Sequence, residues 1–394
     1  MHKEVFFSLV RAGLWEGDVK VNGLSQNDFD SAELKAVPKG QADGLKVNDL
    51  PTAIDYNKIF QLAEEQSILG LATAGLEWLT AYRLPLTEKL TLLGKCQLIE
   101  QRNVEMNQFV GELVGKLRKA GINAVLVKGQ GVAQCYAKPL WRSSGDVDLL
   151  LDEENYKKAK QLLMPLATDV GKEFEYNLHQ SLTIGSFTVE LHGSQRCGLS
   201  KSMDAVIDEV QREVCENGKV RTWMNGDVPI NLPAPNEDVI LVFTHCLKHF
   251  YKGGLGLRQI CDWCRLLWSY RETIDLLLLK SRLREMRLMS EWKAFGAFAV
   301  ESLGVPVEAM LLYDDSNRWK RKASLIEDFI LTSGSFGQNR ATSYAERSYI
   351  TKKAHSMGRR ISDLSSHARI FPMDSVRFMP TIMFHGLMSA ARGE

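Results

Sequence analysis

Hydrophobic positions follow a helical spacing at both ends of the chain and an alternating spacing in its middle. Near the N-terminus, apolar residues recur as on the buried face of a helix over residues 5–15. The polar stretch at 25–49, which contains glycine and proline, predicts a surface connection. The helices predicted from this spacing cover residues 5–15, 56–70, 71–84, 86–119, 237–250, 257–270 and 274–284.

The middle of the chain alternates between short β-branched runs, turns and single helices, which predicts a small α/β unit on a mixed sheet. We therefore expect an α+β fold, in which a mixed-sheet core (96–232) is flanked by an N-terminal helical region (1–95) and a C-terminal helical domain (233–394). The predicted strands cover residues 123–127, 145–151, 179–185 and 186–192, with a hairpin at 220–232 and helices at 132–136 and 155–166.

Composition narrows the class of protein without identifying a function. The 394 residues include 49 basic and 48 acidic side chains, a net charge of +1, and 45% are hydrophobic. These values are typical of globular proteins and argue against a strongly polybasic nucleic-acid binder. Seven scattered cysteines and a start without a signal-peptide pattern predict a soluble protein of the reducing cytoplasm. The apolar runs are too short to cross a bilayer, so we expect no membrane partner.

Two aspartates lie at alternate positions of the strand predicted at 145–151. Because alternate residues share a face of a strand, Asp146 and Asp148 point to one side. Val147 and Leu149 then point to the core. Two carboxylates this close repel each other unless a cation lies between them. An oxygen-only pair suits Mg²⁺, which takes one or two carboxylates together with substrate phosphates.

A third acid, Glu190, shares a face of the strand predicted at 186–192 with Thr188 and His192. If this strand lies beside that of Asp146, Glu190 completes a cluster of three carboxylates. Such a cluster can hold two metal ions about 3.5–4 Å apart, which stabilise the attacking and leaving oxygens of a phosphoryl transfer. We therefore expect Asp146, Asp148 and Glu190 to be catalytic and to bind metal, with two Mg²⁺ ions as cofactors.

A candidate phosphate site precedes these acids. Residues 128–131, Lys-Gly-Gln-Gly, follow a strand and open a helix, an arrangement that leaves backbone N–H groups free to bind an anion. No Gly-Lys-Ser/Thr sequence follows, which disfavours a P-loop ATPase. The predicted nucleotide-binding residues are Lys128, Gly129, Gln130, Gly131, Arg142, Ser143 and Ser144.

These residues resemble the DNA polymerase β-type nucleotidyltransferase superfamily, in which a strand, a glycine turn and a helix precede Asp-hydrophobic-Asp and a later acid. More narrowly, they are similar to an uncharacterised bacterial nucleotidyltransferase family with a Lys-Gly and Arg…Asp-hydrophobic-Asp signature. That family also carries a helical His…His-Phe and Gly-Leu-Arg…Asp segment. The segments that carry the resemblance are 126–129, 141–142, 145–150, 189–192, His245, His249-Phe250 and Gly256-Leu-Arg258…Asp262.

The resemblance implies a Mg²⁺-dependent enzyme that moves a nucleoside monophosphate group from a nucleoside triphosphate such as ATP to an acceptor hydroxyl, with release of pyrophosphate. The near-zero net charge favours a small-molecule acceptor over a nucleic acid. Candidates for the acceptor pocket are His192, His249 and Arg258.

Two alternatives remain open. The superfamily usually has Gly-Ser or Gly-Gly where this chain has Gly129-Gln130. The first alternative is therefore a nucleotide sensor that has lost catalytic turnover. A toxin-like transferase acting on tRNA would need a broad basic groove, and the sequence offers only local basic patches such as residues 318–322.

Two other residue spacings in this sequence occur in the metal-binding or redox sites of other proteins. His245 and His249 have the spacing of a zinc-protease helix, but Cys246 stands where the catalytic glutamate is required. Cys261 and Cys264 form a CxxC within an apolar helical pattern and without a second CxxC, which predicts buried thiols. Arg258 and Asp262 form either an ion pair within one helix or part of the acceptor pocket.

Overall fold

The computed structural model describes residues 2–15, 55–78, 84–173, 178–252, 254–333 and 366–391, so the surface connection predicted at 25–49 lies outside it. The helices are α1 (His2–Leu14), α2 (Tyr56–Glu65), α3 (Leu69–Trp78), α4 (Leu86–Lys119), α5 (Gly129–Ala133), α6 (Glu153–Leu163), α7 (Lys201–Cys215), α8 (Pro235–Lys252), α9 (Leu257–Tyr270), α10 (Leu276–Glu285), α11 (Met289–Leu303), α12 (Asn317–Ser333) and α13 (Pro372–Ala391). The strands are β1 (Val125–Val127), β2 (Val147–Leu150), β3 (Asp169–Val170), β4 (His179–Ile184), β5 (Phe187–His192), β6 (Val220–Asn225) and β7 (Val228–Pro233).

The five-stranded sheet has the order β1-β2-β5-β4-β3, and β6 and β7 form the predicted hairpin. Strands β2 and β5 run parallel, whereas the other neighbouring pairs are antiparallel. The α+β class and the mixed sheet with flanking helices are therefore confirmed. The edge strand β3 was not predicted from the sequence, because two exposed residues carry no alternation to detect.

The two faces of the sheet pack into different cores. One face, which includes Val147, Leu149 and Val189, packs with buried residues of α4 and α6. The opposite face contributes Val127 and Leu150 to a larger core that the helical regions form. The sheet thus presents its second face, which carries the predicted acids, toward the helical half of the molecule.

The helices predicted at 56–70 and 71–84 have different boundaries in the structure. The first ends at Glu65, and Ser67 adopts a left-handed conformation with φ of 56° before α3 begins at Leu69. Gly70 does not end a helix; it lies inside α3, where a Cβ would stand 2.1 Å from the Trp141 carbonyl oxygen. This glycine therefore serves a close approach between two backbones rather than a turn.

Side chains at the helix starts explain several of the other boundaries. Asp152, Ser200 and Asp275 precede α6, α7 and α10, and each accepts a hydrogen bond from a backbone N–H of the first turn. Helix α4 is continuous from Leu86 to Lys119, so the boundary expected at residue 95 falls inside it. The division into regions 1–95, 96–232 and 233–394 stays a prediction. No helix in the described ranges has the length and apolar character needed to cross a bilayer.

Candidate active site

A cavity of about 430 Å³ lies between the second face of the sheet and helices α8 and α9. Asp146, Asp148 and Glu190 line its sheet side, and Lys248 and Arg258 line its helical side. The carboxylates predicted from strand alternation therefore face one cavity together with basic side chains.

The register of two strands brings two of the acids together. Strands β2 and β5 are parallel neighbours, and their pairing places Asp148 opposite Glu190. Asp146 immediately precedes β2, two residues from Asp148. Val147 and Leu149 are buried on the other face, as expected. The adjacency on which the three-acid cluster depended is thus present in the sheet.

Lys128 connects the end of β1 to the acids. Its Nζ donates to Asp148 Oδ1 over 2.9 Å, across the antiparallel pairing of β1 and β2. Its backbone has φ of 58° and ψ of −143°, and Gly129 follows with φ of 38°. A positive φ strains a residue with a side chain, and such strain is typical of functional positions that the surrounding structure holds in place.

The carboxylates have different electrostatic environments. Burial, followed by the charges of Glu190 and Asp148, raises the pKa of Asp146. Burial alone would also raise the pKa of Asp148, but Lys128 and His192 outweigh it and hold the pKa below its ordinary value. Burial opposes ionisation of Glu190 as well, yet His179 and His192 lower its pKa. Asp148 and Glu190 are therefore ionised, and their charge disfavours ionisation of Asp146.

Arg142 is buried in a second ion pair at the cavity wall. Its Nε and one terminal nitrogen donate to the two carboxylate oxygens of Asp262, over 2.7 and 2.6 Å. The Tyr136 hydroxyl also donates to Asp262, over 2.8 Å. Arg258 donates instead to the Ser143 carbonyl oxygen, over 2.9 Å. Asp262 thus pairs with an arginine outside its own helix, rather than with Arg258 one turn away.

The predicted nucleotide-binding residues divide into two groups. Lys128, Gly129 and Arg142 line the cavity, whereas Gln130, Gly131, Ser143 and Ser144 are not among the described residues that do so. The Gln130 amide is buried and donates to Asn107 Oδ1 on α4, over 2.7 Å. At Gly131, a Cβ would stand 2.7 Å from a methyl group of Leu232 in the hairpin. The sequence Gly129-Gln130-Gly131 therefore packs largely against protein.

The sequence model of an uncharacterised nucleotidyltransferase family matches residues 52–303. The chain belongs to this family. No curated protein and no solved structure matches it. The family resemblance is thereby confirmed, and membership supports nucleotidyl transfer with a nucleotide as substrate. A bacterial origin stays a prediction.

His179 and Lys248 also line the cavity, and neither was predicted from the sequence as a site residue. His179 on β4 pairs in register with His192 on β5, because β4 is the antiparallel neighbour of β5. Lys248 lies on α8 in a polar stripe whose spacing of three and four residues marks one face of a mostly buried helix. That spacing was readable from the sequence, whereas the position of His179 depended on the strand order. The members of the stripe are His245, Lys248, His249 and Lys252.

His245 and His249 form a neutral pair on the cavity wall. Their Nε2 atoms are 3.1 Å apart, so one imidazole donates a hydrogen bond to the other. Burial lowers the pKa of His245, and burial with Lys248 lowers the pKa of His249 to about 3. His192, His249 and Arg258, the predicted acceptor residues, all line the cavity, and their roles stay a prediction.

One group of three metal-ligating side chains in the described part of the chain brings its donor atoms within 4.8 Å of one another. It consists of His179, Glu190 and His192, rather than the predicted set of Asp146, Asp148 and Glu190. Glu190 is common to both sets. The side of Glu190 toward β4 is therefore rich in nitrogen, and the side toward β2 is rich in carboxylate oxygen.

Proposed function

We propose that this chain transfers a nucleoside monophosphate group from a nucleoside triphosphate to an acceptor hydroxyl and releases pyrophosphate. The observation that carries the proposal is the pairing of Asp148 with Glu190 on adjacent parallel strands, facing a cavity that Asp146 and Lys128 also line. Family membership supports the same class of reaction.

The carboxylates have the chemistry that a divalent cation requires. The raised pKa of Asp146 reflects repulsion by Glu190 and Asp148 in addition to burial, and a cation beside the three acids would relieve that repulsion. Mg²⁺ would be held by Asp146 and Asp148 together with substrate phosphates, so a compact cage of protein ligands is unnecessary. When bound, Mg²⁺ neutralises the charge that develops on the phosphate oxygens.

Two lysines would bind the triphosphate. Lys128 already pairs with Asp148, so the charge of its ammonium group is partly neutralised. Lys248 lines the cavity and has no hydrogen bond or ion pair among the described residues. Burial, followed by the charge of Lys128, lowers its pKa. A phosphate group beside Lys248 would give this ammonium group a direct ion-pair partner, which favours this side of the cavity for the nucleotide.

The roles of the remaining polar groups follow from their charge. A carboxylate with a lowered pKa is a weak base, so Glu190 is better suited to hold a cation than to accept the proton of the acceptor hydroxyl. His192, His249 and Arg258 would contact the acceptor. Most of the catalysis would then come from positioning and charge neutralisation, as in other phosphoryl transfers.

The test is the transfer of label from α-³²P-labelled nucleoside triphosphates in the presence of Mg²⁺. The low-molecular-weight fraction and the RNA fraction of a cell extract would be offered separately, and labelled products identified by mass spectrometry. We expect a labelled small molecule with stoichiometric pyrophosphate. Asp146→Asn with Asp148→Asn should abolish it, while Glu154→Gln, at an exposed helical ion pair, should not. A double variant that keeps the wild-type rate would overturn the proposal.

A second candidate function is a nucleotide sensor without turnover, which the environment of Gln130 favours. The hydroxyl or small residue usual after the glycine is replaced by a side chain that bonds to Asn107 on α4. In that case, calorimetry would detect binding of a nucleoside triphosphate, and neither extract fraction would yield a labelled product.

A further inference from the structure

Two histidines and a glutamate converge where β4 and β5 pair. His179 and His192 are register partners on these antiparallel strands, and their rings lie 4.9 Å apart. Both Nε2 atoms face the same oxygen of Glu190: His179 Nε2 is 3.4 Å and His192 Nε2 is 3.3 Å from Oε2. All three donor atoms lie within 4.8 Å of one another.

These separations differ from those of strong hydrogen bonds. Charge-assisted N–H···O bonds measure about 2.7–2.9 Å, and the contact from His192 Nε2 to Asp148 Oδ1, at 2.8 Å, is of this kind. Two ligands about 2.0–2.1 Å from one tetrahedral ion are about 3.3–3.4 Å apart. Two of the three donor separations, the imidazole-to-Glu190 distances, therefore equal the edge of a tetrahedral ligand set.

We propose that His179, Glu190 and His192 bind a transition-metal ion of the Zn²⁺ class, at a site beside Asp146 and Asp148, the residues proposed above to hold Mg²⁺. Two imidazoles and one carboxylate suit Zn²⁺ and Co²⁺, whereas Mg²⁺ prefers oxygen ligands. The assignment concerns binding alone and holds whether or not the chain transfers nucleotides.

The neighbours of the triad fit such an ion. Asp148 is ionised and accepts a hydrogen bond from His192 Nε2, so binding of the ion would replace the proton on that nitrogen. Asp148 would then lie beside the ion and add negative charge. His192 is buried and His179 is partly exposed to the cavity, which gives an ion both fixed ligands and a route of entry.

The site is tested by metal binding, without an activity assay. The full chain, stripped of metal, is titrated with Co²⁺, whose visible absorption reports tetrahedral coordination, and then with Zn²⁺ in competition. We expect one ion per chain and an affinity for Zn²⁺ at least roughly 100-fold above that for Mg²⁺. His179→Ala should weaken Zn²⁺ binding by about 10- to 100-fold or more and leave the thermal midpoint nearly unchanged.

Matched variants separate this site from its neighbours. Asp146→Asn should retain the tight Zn²⁺ site, and so should His245→Ala, which removes one member of the other histidine pair. The proposal is overturned if the wild type binds Zn²⁺ no more tightly than His179→Ala. It is equally overturned if His245→Ala, and not His179→Ala, abolishes the Co²⁺ spectrum. None of these variants is assessed by nucleotide turnover. A failed nucleotide-transfer assay would therefore not affect the conclusion about Zn²⁺ binding.

Discussion

Two cations that line the same cavity, the buried Arg142 and the half-buried Lys248, differ in the charge that surrounds them. The guanidinium of Arg142 is neutralised by both oxygens of Asp262, and this pair, despite burial, raises the pKa of Arg142. Lys248 has no such partner in the described residues, and burial lowers its pKa. The first cation therefore belongs to the framework of the site, while the second has no ion-pair partner in the described residues and is available to a ligand.

Lys248→Met is expected to weaken the binding of a nucleoside triphosphate by roughly 10- to 100-fold, because a charge-assisted hydrogen bond to phosphate is lost. The thermal midpoint should stay the same or rise, since a partly desolvated ammonium group without an ion-pair partner is removed. Calorimetric titration and thermal unfolding measure the two effects. Lys158→Met, at an exposed i,i+4 ion pair, is the control and should change neither. Unchanged nucleotide affinity in Lys248→Met would show that the phosphates bind elsewhere.

Arg142→Ala is expected to lower the free energy of unfolding by about 3–5 kcal/mol, because it leaves Asp262 buried without its cation. Urea unfolding measures the change. Adding Asp262→Asn should recover part of the loss, since the amide carries no charge to be compensated. If Arg142→Ala lost only nucleotide affinity and kept the stability of the wild type, the arginine would be a substrate contact instead.

At the scale of whole elements, α1 and α3 cross with their backbones in contact. A Cβ on Gly13 would stand 2.0 Å from the Leu71 carbonyl oxygen, and one on Gly75 would stand 2.0 Å from that of Leu9. Each glycine lies inside a helix, where it costs about 1 kcal/mol relative to alanine. The close approach of the helices offsets this cost through packing.

Gly75→Ala should therefore destabilise the protein by at least about 1–3 kcal/mol, because the obstructing atom belongs to the backbone and cannot rotate away. Gly94→Ala is the matched control within α4, where a Cβ would meet nothing within 4 Å. That change should raise the free energy of unfolding by up to about 1 kcal/mol. The two thermal midpoints should move in opposite directions, and a shared direction would contradict the account of the crossing.

The strands and helices around the cavity show how far the sequence alone could predict the fold and the site. Alternation identified β2 and β5 and the shared face of Asp146 and Asp148, because a strand's two faces depend only on local periodicity. The place of His179 depended on β4 pairing with β5, and the pairing of Arg142 with Asp262 joins residues far apart along the chain. No local pattern encodes such contacts. For the same reason, the sequence pattern predicts a helix boundary at Gly70, whereas the structure shows that this glycine serves a tertiary contact.

For the whole molecule, helix α13 closes the helical core around a buried acid. Glu291 of α11 is fully buried, and the Tyr251 hydroxyl of α8 donates to it over 3.2 Å. Arg377 of α13 donates to the Met286 carbonyl oxygen and to the hydroxyl of Ser200. Burial, followed by the charge of Asp374, raises the pKa of Glu291 to about 8. Three distant parts of the chain thus meet at a carboxyl group that is protonated at neutral pH.

This carboxyl group makes stability depend on pH in a definite direction. The unfolded chain releases the Glu291 proton near pH 4.5, while the folded chain keeps it up to about pH 8. Between these values the native state binds more protons, so this group lowers the free energy of unfolding as pH rises. Glu291→Gln stays neutral and retains an oxygen for Tyr251. We therefore expect Glu291→Gln to become progressively more stable than the wild type from pH 5 to pH 8.

Thermal midpoints of the wild type and Glu291→Gln are measured across that pH range. The difference between the two curves gives the contribution of Glu291 to the pH dependence of stability. Taking the difference removes the contributions of titrating groups that do not interact with Glu291, such as Asp148 and Glu190, which both proteins share. Glu153→Gln, at an exposed ion pair, serves as the control and should run parallel to the wild type. If the Glu291→Gln curve also ran parallel, Glu291 would be ionised in the folded protein, and α13 would pack against a charged rather than a neutral group.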